Sequence, residues 1–290
     1  MSPSEHLPPE LLRKIVTWAV DGPHDRRHIL HLTHVSRLWR EVVFTLPGLF
    51  TEADWDNWRL PLLELWCSRV TATRTLTIRL DGLTIRRMNN EVVSNSQFNF
   101  LRGISARWGK LNINMCLTSR TLSDSLGCLA GIRMPSLQYL KLNNSGNEQM
   151  GMVRAELTDM PQLRVLHLSN ILPPSNSPLF RLTDLVYSFR SPILLEQWRV
   201  VLSNLPNLRH LSLASPRVLN DGEDLDIQLP SLDSLELRSI HVEELKFLRV
   251  FFASSFTPNL HTLVLTFTTH GLCKSVLQLL VTIHFKNFVS

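Results

Sequence analysis

The sequence predicts an α/β solenoid, a stack of parallel strands with helices, preceded by a small all-α module. The octet P-x-L-x-x-L-x-L occurs five times between residues 135 and 265, which predicts a repeat architecture. Between the octets, apolar residues fall at helical spacing. The first fifty residues contain no octet and show helical spacing only, which predicts a separate helical module. With 290 residues, of which 44% are hydrophobic, the chain can form a core in both parts.

The repeat is irregular in length. The octets begin 24 to 28 residues apart, except for one interval of 45 residues. A weaker copy at Leu182, Leu185 and Tyr187 divides that interval, and degenerate copies at 76–78 and 111–113 precede the series. The chain therefore contains about eight irregular units of about 27 residues. The five octets begin at Pro135, Pro161, Pro206, Pro230 and Pro258.

Each octet predicts a short strand, because L-x-L places both leucines on one face. One strand and one helix cannot bury their apolar faces alone, so neighbouring units must stack into a continuous core. The proline ends the helix of one unit before the next strand begins. Helical spacing between strands is clearest in two sets of residues: Leu195, Trp198, Val201, Leu202 and Leu205, and Val242, Leu245, Leu248 and Phe252.

This pattern resembles the leucine-rich-repeat family, whose units are 20–29 residues long. The resemblance implies that parallel strands line one face of the solenoid. The family has an asparagine three positions after the last strand leucine, and this chain does not. We therefore expect no side-chain ladder along the turns, and an uneven curvature. The five positions hold Ser145, Ile171, Pro216, Ile240 and Thr268.

The first fifty residues predict three helices. Pro8 and Pro9 suit the first turn of a helix. Leu11, Ile15 and Trp18 then follow at i, i+4 and i+7, with further apolar residues beside them. Two shorter apolar segments predict helices around residues 29–35 and 39–43, and the last ends near residues 46–48.

Three segments of this module resemble the F-box: LPPELLRKI at 7–15, LTHVSRLW at 32–39 and PGLF at 47–50. The family pattern is L-P-x-E-L-L-x-x-I, then L-x-x-V-C-R-x-W, then P-x-L-W. Ser36 and Phe50 depart from it. Residues 61–69 are also similar to a helix in fungal F-box proteins. The resemblance implies an F-box over 5–50, a helical linker over 51–75 and a leucine-rich-repeat solenoid over 76–290.

The two resemblances imply the substrate receptor of a Skp–cullin–F-box ubiquitin ligase. A bundle of about 45 residues buries little surface alone, so part of its apolar surface would be covered by a partner. The residues that the resemblance implies bind the Skp-family adaptor are Leu7, Pro8, Leu11, Ile15, Val35 and Trp39. An unknown protein substrate would lie on the strand surface, where the candidate residues are Tyr139, Lys141, His167, His210, Glu236 and Arg238.

Two alternatives remain open. The chain could be an interaction scaffold whose N-terminal helices only cap the solenoid, although a cap should be polar on its outer side. It could also bind the adaptor without promoting degradation of any protein. The sequence does not identify the substrate or any modification that the substrate must carry.

Several other classes are disfavoured. A net charge of +5 without a run of five like charges argues against a nucleic-acid partner. No motif for phosphate, dinucleotide or zinc chemistry and no nucleophile elbow occurs, so we expect no enzyme and no cofactor. His28, His31 and His34 lie three residues apart and would fan around a helix, so we expect no metal site.

The chain also shows no feature of secretion or membrane insertion. Its start has no basic segment followed by an apolar run, and the apolar stretch at 276–285 is half the length of a span. The four cysteines show no C-x-x-C spacing, and we expect them to be reduced thiols. We therefore expect a protein of the cytoplasm or nucleus. The last residues remain apolar, so we expect the final repeat to lack a polar cap.

Overall fold

The structure is a computed structural model whose central feature is one long sheet of stacked parallel strands. It describes residues 7–20, 27–54, 60–70, 74–81, 94–115, 129, 131–146, 153–154, 159–172, 179–188, 193–215, 218–219, 227–240, 255–268 and 278–284.

Three helices form the N-terminal module: α1 (Pro9–Val20), α2 (Arg27–Thr33) and α3 (Arg37–Phe44). Each packs on the other two. Helix α1 begins after Pro8, whose carbonyl accepts the first backbone bonds. Helix α3 begins at Ser36, whose hydroxyl accepts a 3.4 Å hydrogen bond from the Trp39 backbone N–H. Both helix starts therefore follow from their sequences.

A short junction connects this module to the sheet through a 3₁₀ turn (Pro47–Phe50), strand β1 (Glu52–Asp54) and helix α4 (Leu60–Arg69). The buried ring of Phe50 meets Trp66 edge-on, with centroids 4.5 Å apart. The Trp66 indole N–H donates to the Glu52 carbonyl at 2.9 Å. The segment expected to be a helical linker thus also contains β1, which the sequence did not indicate.

The main sheet has ten strands in the order β1-β2-β3-β4-β6-β8-β10-β13-β15-β16. All eight units of the repeat contribute one strand each, in chain order and in parallel register, as predicted. These strands are β2 (Leu76–Asp81), β3 (Trp108–Met115), β4 (Tyr139–Asn144), β6 (Val165–Ser169), β8 (Asp184–Ser188), β10 (His210–Ala214), β13 (Ser234–Ile240) and β15 (Thr262–Thr268).

The strand leucines face one continuous core, which extends from Val16 in α1 to Leu263 in β15. Burial alternates along the strands, as the L-x-L spacing requires. The prolines of the octets occupy the second position of a turn that precedes each strand. In the first copy, the Leu137 N–H donates to the Met134 carbonyl across Pro135 at 3.1 Å. The octet therefore encodes a turn as well as a strand.

The connections between the strands vary. Helices α5 (Ser94–Gly103) and α6 (Leu195–Ser203) lie in two of them, and α6 confirms one of the two predicted helical segments. The other, at 242–252, lies outside the described residues. The connections also contain short parallel pairs. These pairs are β5 (Val153–Arg154) with β7 (Ile171–Leu172), β9 (Ile193–Leu194) with β11 (Val218–Leu219), and β12 (Ile227–Gln228) with β14 (Ser255–Phe256). Strand β9 directly precedes α6.

Three residues at or near the ends of strands β6, β10 and β13 share a backbone conformation. Asn170, Ser215 and Ser239 all stand two residues after the second strand leucine, and all have φ between 51° and 55°. We expected no side-chain ladder along the turns after the strands, and two of these turns do contain a bridging side chain. The Asn170 amide donates to the Asn144 carbonyl at 2.8 Å, and the Ser145 hydroxyl donates to the Met115 carbonyl at 3.1 Å. Asn170 stands one position before the asparagine of the leucine-rich-repeat pattern.

The last strand, β16 (Gln278–His284), runs antiparallel to β15, although we expected the parallel solenoid to continue to the end. A parallel neighbour needs a crossover of about a dozen residues or more, whereas an antiparallel strand can follow a shorter return. Residues 269–277 separate the two strands. The shortness of this connection explains the reversal.

Candidate functional site

The first candidate surface lies on the N-terminal module. We call it the module patch and define it by its four exposed large apolar side chains: Leu11, Ile15, Trp18 and Val35. Trp18 is the most exposed of them, at 87%. Three other large apolar side chains are exposed in the described part of the chain; they lie on α4, in the turn before β8 and on α6. Those three are Leu65, Phe180 and Val200.

Three of the four side chains of the module patch are exposed because α1 is apolar on two faces. Leu12 and Val16 are fully buried in the protein, whereas Leu11, Ile15 and Trp18 form a stripe at i, i+4 and i+7 on another side. A surface helix normally places polar residues there. Covering the remaining exposed surface would contribute about 1 kcal/mol each for Leu11, Ile15 and Val35 and about 2 kcal/mol for Trp18, before the cost of association. The patch therefore has the composition of a protein-binding surface.

The structure places the six predicted adaptor-binding residues in two environments. Pro8, Leu11, Ile15 and Val35 are exposed, and Leu7 is half-buried. Trp39 is also half-buried, because its ring packs against the core, and its enclosed indole N–H has no hydrogen-bond partner among the described residues. Trp18 was not among the six. Its position at i+7 of the Leu11 stripe was the signal that could have included it.

The second candidate surface is the strand face, formed by alternate residues of the main-sheet strands that point away from the leucine core. Residues in register on neighbouring strands form rows across it. All six predicted substrate-binding residues lie on this face, in three rows. The first row contains Lys110, Tyr139, Val165, Asp184, His210 and Ser234; the second, Asn112, Lys141, His167, Val186, Ser212 and Glu236; the third, Asn114, Asn143, Ser169, Ser188, Ala214 and Arg238.

Two of the predicted residues form an aromatic pair. The Tyr139 hydroxyl lies 3.2 Å from the His167 Nδ1, and the ring centroids are 5.0 Å apart. Burial lowers the pKa of His167, and the Lys141 ammonium lowers it further, whereas the Asp184 carboxylate acts in the opposite direction. Burial also raises the pKa of Tyr139. The pair is therefore uncharged at neutral pH.

A second group lies further along the face. The Arg238 guanidinium donates to the Glu236 carboxylate at 2.7 Å, and the Ser212 hydroxyl donates to the same oxygen at 3.0 Å. The bond from Arg238 is the main reason why the pKa of Glu236 lies below its ordinary value. Both charges of this pair are thus already satisfied within the chain. His210 is exposed, in the first row.

Sequence reasoning did not select Lys110 or the amides of Asn112 and Asn114, because their strand was recognised only as a degenerate copy. The structure places Lys110 in register with Tyr139, and Asn112 in register with Lys141. The side-chain amide of Asn143 donates to the side-chain oxygen Oδ1 of Asn114 at 3.4 Å. A mapping of every outward position of every strand, including the weak copies, would have found them.

The described residues contain no group of three or more histidine, cysteine or acidic side chains placed to hold a metal ion. In the same part of the chain, none of the helices combines the length and apolarity that crossing a membrane requires. In comparisons with known proteins, no family model and no curated protein matches the sequence.

Proposed function

We propose that this protein is the substrate receptor of a Skp–cullin–F-box ubiquitin ligase. Its N-terminal module docks a Skp-family adaptor, which links it to a cullin–RING ligase, and its leucine-rich-repeat strand face holds a protein substrate. The chain performs no chemistry itself. It raises the effective concentration of a substrate lysine near the ubiquitin-loaded enzyme. Such a receptor acts in the cytoplasm or nucleus.

The module patch is the observation that carries the proposal. An N-terminal cap would have a polar outer side. Here α1 has an outward stripe of Leu11, Ile15 and Trp18, and the turn after α2 exposes Val35. The F-box resemblance supplies the class of partner, because its sequence motifs include Leu11, Ile15 and Val35.

The test is co-purification of the full-length chain with a Skp-family adaptor. We compare the wild type with a Leu11→Asp/Ile15→Asp variant. Both side chains are already exposed, so the variant should fold. Losing two apolar contacts of about 1 kcal/mol each and burying two unpaired carboxylates should weaken adaptor binding at least about 100-fold. Circular dichroism and thermal unfolding should be unchanged.

Val200→Asp is the matched control. Val200 lies on α6 and is 40% exposed, close to the 42% of Ile15, so it tests the effect of a new charge on an exposed helical position. The control should retain adaptor binding. Equal recovery of adaptor by the wild type and the double variant, or no recovery by the wild type, would refute the proposal and leave the scaffold function.

A further inference from the structure

Three acidic side chains of the strand face lie outside strands β3, β4 and β6: Glu52 on β1, Asp184 on β8 and Glu236 on β13. Glu52 on β1 lies 3.2 Å from Arg79 on β2, and Glu236 is bound by Arg238. Lys110 on β3 and Lys141 on β4 form no ion pair within the described part of the chain. The strands β3, β4 and β6 carry no acidic side chain among the residues of the three rows. This region is therefore a positively charged segment of the face.

The two lysines are diagonal neighbours. Lys110 is in register with Tyr139, so Lys141 stands one strand across and two residues along. Strand geometry puts their Cα atoms about 8 Å apart. In an extended peptide, side chains at i and i+2 are separated by about 7 Å and point to the same side. Carboxylates at alternate positions of such a peptide can reach both ammonium groups.

The surroundings of the lysines suit a peptide better than a small ion. The row of Lys141 continues into Asn112 on one side and His167 on the other. The paired rings of Tyr139 and His167 supply an apolar edge, and they carry no charge of their own at neutral pH. The positive charge of the segment therefore comes from the lysines alone.

We propose that the β3–β6 segment of the strand face binds an extended acidic segment of a protein, with Asp or Glu at alternate positions contacting Lys110 and Lys141. This inference deepens the proposed function, since it takes the strand face as the substrate-holding surface. It names the substrate class as proteins with an acidic, exposed segment.

The test measures binding of fluorescein-labelled 12-residue peptides to the full-length chain by fluorescence anisotropy. The probes are alternating Glu–Gly, Gln–Gly and Lys–Gly peptides, together with a 12-nucleotide single-stranded DNA. Only the Glu–Gly peptide should bind. A Lys110→Gln/Lys141→Gln variant should bind it about tenfold more weakly, and salt should weaken the wild-type complex steeply.

The control is an Arg13→Gln/Lys14→Gln variant, which removes the same charge from exposed residues of α1. It should bind the acidic peptide like the wild type. Equal losses in the two variants, or equal binding of all three peptides, would overturn the proposal. Tighter binding of the DNA than of the Glu–Gly peptide would also overturn it. The assay contains no adaptor, so its failure is distinct from a failure of the adaptor-binding test.

Discussion

Replacing Phe50 by alanine should test whether the junction between module and solenoid is a packed core. The Phe50 ring is almost fully buried, 4.5 Å from the Trp66 ring and 6.1 Å from the Phe44 ring, measured between centroids. Removing a buried phenylalanine ring typically costs about 3–5 kcal/mol, because transfer energy is lost and a cavity remains. Native proteins have about 5–15 kcal/mol of stability in total. Phe50→Ala should therefore remove a large fraction of it.

The assay is urea unfolding of the full-length chain, followed by circular dichroism. For a chain of 290 residues, the unfolding entropy makes the expected loss equivalent to a fall in Tm of about 5–8 °C. Phe180→Ala is the control, since that ring is 60% exposed, and it should change stability by less than about 0.5 kcal/mol. A loss below about 1 kcal/mol for Phe50→Ala would refute the packed junction.

Three further predictions concern single side chains. Lys141→Met should raise the pKa of His167, because the Lys141 ammonium lowers that pKa. NMR titration of the imidazole measures the change, and an unchanged or lower pKa would contradict the prediction. Burial raises the pKa of Cys67 to about 11. In a variant whose other cysteines are replaced by serine, a thiol reagent should therefore react with Cys67 only after unfolding. Rapid reaction in the native state would contradict this prediction. Asn170→Ala should cost about 1–3 kcal/mol in chemical unfolding, and more than Asn170→Gly. Both variants lose the bond to Asn144, but only alanine disfavours a φ of 55°. Equal costs of the two variants would show that the backbone conformation is unimportant.

The strands were predictable because two local signals coincide in each octet. Proline at the second position of a turn and leucines at period two specify the same start and the same buried face. Even Leu185 and Tyr187, which lack the proline, form a buried pair in β8, because the period survives. The order of the parallel strands was therefore predictable from the sequence alone, without any tertiary contact.

Elements that depend on neighbours were not predictable in this way. Strand β1 has the sequence Glu-Ala-Asp, with no apolar alternation, and it exists through its pairing with β2. The direction of β16 depends on the length of its connection and on an edge of β15 that only the assembled sheet provides. The short parallel pairs likewise form between residues of neighbouring repeats, which no single repeat encodes.

The residues of the two candidate surfaces were also predictable only in part. Exposure of Leu11 and Ile15 followed from the width of the apolar stripe on α1, since one helix cannot bury two faces in a small bundle. The environment of Trp39 was not predictable from the sequence, because the same helical spacing allows its ring to pack inward or outward. On the strand face, the period identified which residues point outward. It could not show that Glu236 is paired with Arg238, while Lys141 has no ion-pair partner among the described residues.

The two surfaces are connected through one core, and this has a consequence for how a receptor of this kind would act. Phe50 and Trp66 belong to the same buried cluster as the strand leucines, and Arg107, just before β3, donates to the carbonyls of Cys67 and Val70 at the end of α4. The junction thus consists of packed rings and hydrogen bonds. Because proximity is effective only when the distance between two bound partners is restricted, a packed junction serves such a receptor better than a flexible linker.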